Sequence, residues 1–239
     1  MAAVERPSER RSAVRTAVVW DALRPVLDGG VLDVLDIGGG TGGSAVVVAG
    51  LGHRVTVVDP SPDALASLGR RAREAGVAVE AHQGDLSTLT DVVEADGADL
   101  VLCHGVLEVV DDPAAALAAI RTVLRPGGRL SILVAQRHAA VLARAMAGHF
   151  VAARELLEPG DRADRTGRRF TDEDAVALLR GAGFETDAVH AVRVFADLVP
   201  GSLLDLEAGA ASALVDLERA VASRPEYRPL ATQLHLLAH

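Results

Sequence analysis

The stretch 34–43, VLDIGGGTGG, constrains this chain more than any other segment. Mostly β-favouring residues over 31–35, with one aspartate among them, lead into Asp36, and glycine then occupies Gly38, Gly39, Gly40, Gly42 and Gly43. A strand that breaks into glycine and resumes as a helix over 44–51 leaves a length of main chain bare of Cβ atoms. A polar ligand can approach N–H groups there, at the positive end of the helix. Two spacings fit the glycines. G-x-G-x-x-G through Gly38, Gly40 and Gly43 suits a dinucleotide pyrophosphate. D-x-G-x-G-x-G through Asp36, Gly38, Gly40 and Gly42 places an acid two residues ahead of the loop, where it suits a cationic amino group better than a diphosphate. A tight strand-to-helix turn that binds nothing is the plainest alternative.

The rest of the chain alternates. Strands are expected over 31–37, 54–59, 78–82, 99–104 and 129–135, and helices over 44–51, 62–75, 87–94, 113–124 and from His138 onward. That order calls for an α/β fold: parallel strands joined by right-handed helical crossovers, with helices on both faces. Ahead of it, Val14, Val18, Ala22, Leu23, Val26 and Leu27 recur at helical spacing, with Trp20 as a packing residue and Pro25 placed to kink or end the helix. Ser61-Pro62 and Asp112-Pro113 read as helix starts, and RPGG at 125–128 as a helix stop that turns into the next strand. Farther on, Thr171 looks like the cap of a helix running to Arg180. Extended segments to Val194, a last helix over 203–221 and a strand over 233–238 close the chain. The expected organisation is a flexible tail over 1–10 and one domain over 11–239. Its core spans about 30–136, and a substrate cap with the last strands spans 137–239.

A chain of 239 residues supports one substantial core. No apolar run is long enough to span a bilayer, and the first residues lack the apolar centre of a signal peptide. The single Cys103 forms neither an internal disulfide nor a metal cluster, so a cytoplasmic protein without metal or membrane partner is expected. The formal charge of −9 weighs against a general nucleic-acid binder. Cationic residues do gather at Arg162, Arg165, Arg168 and Arg169, either as a solvated loop or as an anion-binding lid.

In an open parallel sheet, ligands bind beyond the carboxyl ends of the strands. Asp59 ends the second strand, where a carboxylate can accept ribose hydroxyls as well as cap the following helix. Gly84-Asp85 follows the third strand, where the acid can accept from an adenine amino group or simply make a turn. His104 ends the fourth strand facing the cleft, and a structural role for it is as natural as a binding one.

LDIGGGTGG, VVD, QGD, VLCHGVLEVVDDP and VLRPGG occur in the order and at the distances seen in class I S-adenosylmethionine-dependent methyltransferases, whose first motif D-x-G-x-G-x-G resembles. CHGVLEVVDDP, VLRPGGRLSIL, the MAGHF stretch and VRVFADL resemble one subfamily in particular, the enzymes that esterify the carboxyl group of 5-carboxymethoxyuridine at the tRNA wobble position. The resemblance implies a Rossmann-like, seven-stranded, mostly parallel sheet with a small C-terminal cap. It also implies S-adenosyl-L-methionine as cofactor. Arg15 would pair with the methionine carboxylate. Gly38 and Gly39 would line the methionine portion, Asp59 would hold the ribose, Gln83, Gly84 and Asp85 would surround the adenine, and Asp36, Gly40 and His104 would also bind the donor. His138 would face the acceptor.

A carboxylate acceptor is already ionised at neutral pH and needs no general base. No H-E-x-x-H, G-x-S-x-G or other base–nucleophile pair stands in the chain, so no catalytic residue is assigned. Arg169 is the arginine expected to hold an anionic acceptor by paired hydrogen bonds. The expected partner is therefore a tRNA anticodon loop or an anionic small molecule. Aromatic content of 3% leaves few rings to stack on an unpaired base and favours the small molecule. A nicotinamide-dependent oxidoreductase and a non-catalytic cofactor-binding partner are the remaining readings.

Overall fold

The computed structural model describes residues 7–157, 167–206 and 209–239. In chain order the elements are α1 (Pro7–Leu27), β1 (Asp33–Ile37), α2 (Gly43–Gly50), β2 (Arg54–Asp59), α3 (Pro62–Ala75), β3 (Glu80–Gln83), α4 (Leu89–Val92), β4 (Ala98–His104), α5 (Pro113–Val123) and β5 (Leu124–Ala135). Then follow α6 (Arg137–Met146), α7 (Phe150–Glu155), α8 (Asp172–Gly181), β6 (Thr186–Val192), α9 (Leu203–Leu206), α10 (Ala210–Ala222) and β7 (Gln233–Ala238). The seven strands form one sheet in the order β3-β2-β1-β4-β5-β7-β6. Pairing is parallel from β3 through β5, whereas β7 runs antiparallel to both β5 and β6.

Strand alternation divides the core between the two faces. Leu35, Ile37, Val101 and Cys103 point to one side and pack with Leu117 and Ile120 of α5 and Leu179 of α8. Val34, Leu100 and Leu102 point to the other, against Val18 and Leu23 of α1, Ala45 and Val48 of α2 and Leu68 of α3. These side chains are almost wholly buried, and each leucine among them contributes about 1.5–3 kcal/mol. Helices on both faces are therefore what the apolar pattern of the strands requires.

The expected caps form. The Ser61 side chain accepts the Ala64 N–H, Asp112 accepts those of Ala114 and Ala115, and Thr171 makes a reciprocal capping box with Asp174. Some expectations are corrected. α1 already runs from Pro7, inside the stretch read as a tail, and it continues through Pro25 to Leu27, with Pro25 forgoing one intrahelical hydrogen bond because it has no N–H. RPGG does not separate helix from strand. It lies inside β5 as an irregularity, with Gly127 at φ 78°, where the pairing jumps from Ala98–Leu124 to Leu100–Arg129. The single last helix is two, α9 and α10, and Gly209 in left-handed conformation (φ 92°) starts the second. α4 covers only part of the helix expected over 87–94. Among the described residues, no helix is long and apolar enough to cross a membrane.

Candidate active site

Strand order reverses between β1 and β4, so their carboxyl ends open the crevice where such sheets bind ligands. The glycine loop fills the space after β1 at distances only glycine allows. A Cβ on Gly38 (φ 68°) would lie 2.5 Å from Val106 Cγ2, and one on Gly39 would lie 2.7 Å from Asp36 Oδ2. One on Gly42 (φ 78°) would lie 2.2 Å from Leu68 Cδ1. Asp36 is 3% exposed, and its Oδ2 has no hydrogen-bond partner among the described residues. Burial, reinforced by the charge of Asp59, pushes its carboxyl up to about 7. A buried acid left short of a partner beside a bare backbone loop suits a positively charged ligand.

Asp59 has a structural role the sequence assigned only in part. Its Oδ2 accepts the Gly40 N–H and its Oδ1 the Ser61 N–H, each at 2.8 Å. It thus ties the end of β2 to the glycine loop, and a ribose would share oxygens already engaged once each. The Gly84 N–H donates to the Asp59 carbonyl at 3.2 Å. Asp85 accepts both the Ser87 N–H and its hydroxyl, and Gln83 donates to the Pro60 carbonyl. All three residues follow or end β3.

Two clefts flank the strand-order switch. The first, about 600 Å³, lies between Gly38, Val58, Asp85, Val106 and Ala116. The second, about 580 Å³, lies between Arg15, Trp20, Ser44, His104, Arg193 and Gln233. Of the expected cofactor residues, Gly38 and Asp85 line the first cleft and Arg15 and His104 the second, whereas Asp36, Gly39, Gly40, Asp59, Gln83 and Gly84 line neither.

His104 is not isolated. Its Nε2 is 2.8 Å from Ser131 Oγ, which is 2.8 Å from Nε2 of the fully buried His235. His235 Nδ1 is in turn 3.3 Å from His190 Nδ1, and their rings stack with centroids 5.5 Å apart. Four adjacent strands each give one member to this chain. The cross-strand pairs Leu133–His235 and His190–His235 set it up. Burial pushes His104 down to about 4 and lowers His235 and His190 as well, so the chain is neutral at physiological pH.

The acceptor residues read from the sequence fall elsewhere. His138 is exposed in the first turn of α6, its Nδ1 3.3 Å from Gln136 Nε2, and it lines neither cleft. Arg169 also lines neither. Its guanidinium donates to the Gly167 and Arg168 carbonyls, and its charge acts on the buried Glu108. Arg162 and Arg165 lie outside the described residues, and Arg168 donates to the Val110 carbonyl. Sequence reasoning missed Arg193, Ser131 and His235. Arg193 follows β6, read in the sequence only as part of extended segments to Val194, and the placing of its end at the second cleft depends on the late return of β7 between β5 and β6.

The seven-stranded sheet, the glycine loop and the strand-end acids define a class: the chain belongs to the class I S-adenosylmethionine-dependent methyltransferases, and S-adenosyl-L-methionine is its cofactor. A methyltransferase domain matches residues 35–132. The chain is 30% identical to the tRNA 5-carboxymethoxyuridine methyltransferase of Escherichia coli (strain K12) over 238 residues, covering 95% of this chain and 88% of that one. It is 32% identical over 189 residues to the ubiquinone biosynthesis O-methyltransferase of Xanthomonas axonopodis pv. citri (strain 306), covering 77% and 74%. Among solved structures, an S-adenosylmethionine-dependent methyltransferase from Mesorhizobium loti shares the fold with a TM-score of 0.63 at 21% identity, covering 94% of this chain and 99% of that one. Family membership sets aside the dinucleotide reading of the glycines and the oxidoreductase with it.

Proposed function

We propose that this enzyme methylates the carboxylate of 5-carboxymethoxyuridine at the wobble position of tRNA. The observation that carries the reading is the extent of likeness to the E. coli enzyme. It spans 95% of the chain, and so extends beyond residue 136 into the region expected to form the substrate cap, not only the shared cofactor core.

The residues fit the cofactor. Arg15 would meet its carboxylate, and the Asp36 oxygen without a partner among the described residues, with the bare backbone at Gly38 and Gly39, would suit its cationic methionine portion. Asp59 and the Gln83, Gly84 and Asp85 turn would hold the ribose and adenine, with Asp85 lining the first cleft and His104 the second. When bound, the cofactor supplies an electrophilic methyl group on a sulfonium. The protein's part is alignment and exclusion of water. A neutral His104 and an acceptor already ionised fit a reaction that needs no proton removed.

The test is methyl transfer. With labelled cofactor and tRNA carrying 5-carboxymethoxyuridine, that nucleoside should gain one methyl ester, detectable by mass spectrometry after digestion. Absence of transfer, with the enzyme folded and cofactor-bound, contradicts the reading. A second reading, O-methylation of a small metabolite, is favoured by the likeness to the Xanthomonas enzyme and by the formal charge of −9. Salt separates the two, because binding through tRNA phosphates weakens steeply as salt rises and binding of a small acceptor does not.

A further inference from the structure

We infer that Arg193 is the group that holds the acceptor, so that the second cleft selects a carboxylate placed beside the methyl donor. The inference rests on the proposed function for the donor's place at Arg15.

Arg193 directly follows β6 and has φ 62°, one of two non-glycine residues at positive φ among those described. Such a conformation persists only where the surroundings hold it, and it is concentrated at functional positions. The guanidinium is partly engaged. Nη2 meets Asp197 Oδ2 at 2.5 Å and Nη1 donates to Gln233 Oε1 at 3.1 Å, while Nε is buried with no partner among the described residues.

The charge balance around the cleft points the same way. Arg15 and Arg193 both line it, and among the described residues no carboxylate does. Both arginines share a single acid, since Asp197 Oδ1 takes Arg15 at 3.0 Å and Oδ2 takes Arg193. The neighbouring Glu218 is committed to the main chain, accepting the N–H groups of Val194, Phe195 and Ala196. One positive charge is therefore left over. The donor brings one carboxylate, which Arg15 would take, together with an ammonium and a sulfonium. The filled cleft remains cationic and favours an anionic acceptor, with Arg193 the arginine left to receive it. Arg169, beside Glu108 and away from this cleft, does not have that position.

The test compares wild type with Arg15→Gln, Arg193→Gln and Arg193→Lys. The probes are S-adenosylhomocysteine, 5-carboxymethoxyuridine nucleoside and the methyl ester of that nucleoside. In wild type loaded with S-adenosylhomocysteine, the acid should bind about 10- to 100-fold more tightly than the ester, the size of a charge-assisted contact. Arg193→Gln should abolish that preference while leaving S-adenosylhomocysteine affinity within about threefold, whereas Arg15→Gln should weaken S-adenosylhomocysteine instead. Arg193→Lys keeps a cation for Asp197, guards against a folding defect and should retain part of the preference. A preference for the acid that survives in Arg193→Gln overturns the inference and leaves the proposed function standing. So does a loss of S-adenosylhomocysteine affinity in Arg193→Gln equal to that in Arg15→Gln. Wild type that binds acid and ester alike also overturns the inference, whereas the proposed function stands or falls separately on methyl transfer to the tRNA.

Discussion

The carboxylate of Asp59 accepts the main-chain N–H of Gly40 at 2.8 Å, so the end of the second strand holds the glycine loop directly. The other oxygen is engaged by Ser61, which means both faces of the carboxylate carry structure before any ligand arrives. Asp59→Asn should therefore hurt twice. An amide has one acceptor oxygen, so either Gly40 or Ser61 would face an N–H₂ group. The expected loss is about 1–3 kcal/mol of stability, with weaker S-adenosylhomocysteine binding, measured by denaturant unfolding and calorimetry. Full stability in the variant contradicts the role assigned to that bond.

Gly38 and Gly105 make a controlled pair. Both have positive φ, 68° and 72°, but a Cβ on Gly38 meets Val106 Cγ2 at 2.5 Å while one on Gly105 meets nothing within 4 Å among the described residues. Gly105→Ala should show backbone strain alone, about 1–2 kcal/mol. Gly38→Ala adds overpacking, about 1–3 kcal/mol more, and should lower cofactor affinity. Equal losses in the two variants would mean the loop has room the structure does not show.

Asp36 gives a pH dependence opposite to that of an ordinary paired carboxylate. Its folded pKa, about 7, lies well above the 3.8 of an ordinary aspartate, so the folded state binds the extra proton. Its contribution to stability is present in full below about pH 4 and is lost as pH rises through 7, by on the order of 4 kcal/mol at most. Asp36→Asn should remove this loss, making the unliganded protein relatively more stable at pH 8 than at pH 5 compared with wild type. The same variant should bind the cationic donor less well. Thermal melts at the two pH values and calorimetry measure both effects. A wild type and variant with parallel pH profiles would contradict the raised carboxyl.

Ser131 links His104 to His235, and its hydroxyl is needed by both rings. Ser131→Ala leaves the buried His235 Nε2 unpaired and should cost about 1–3 kcal/mol. It should also loosen His104 and reduce methyl transfer at unchanged acceptor affinity. Ser131→Thr keeps the hydroxyl and should recover most of the rate. If alanine and threonine variants behave alike, the chain does not position His104.

The strands and helices up to β5 were legible because their signals are local: apolar runs, Pro-led caps and glycine after the first strand. RPGG misled because its glycines also allow a bulge within β5 once β4 lies alongside, and that pairing is not a local property. The split between α9 and α10 turned on Gly209, whose left-handed φ cannot be told in sequence from a tolerated helix glycine. At the site, Arg15, Gly38, Asp85 and His104 were found at the crevice because they follow strand ends or match family motifs. Arg193 and the Ser131–His235 link were invisible because they depend on β7 returning antiparallel between β5 and β6, which brings distant residues to one edge.

The most direct measurement is calorimetry of the purified enzyme with S-adenosylmethionine, S-adenosylhomocysteine and NADH in separate titrations. The expected result is saturable one-to-one binding of both adenosyl compounds, weakened by Arg15→Gln and Asp59→Asn, with no binding of NADH. A folded enzyme that takes up neither adenosyl compound, or that binds NADH in their place, would contradict the assignment of this cleft at its root.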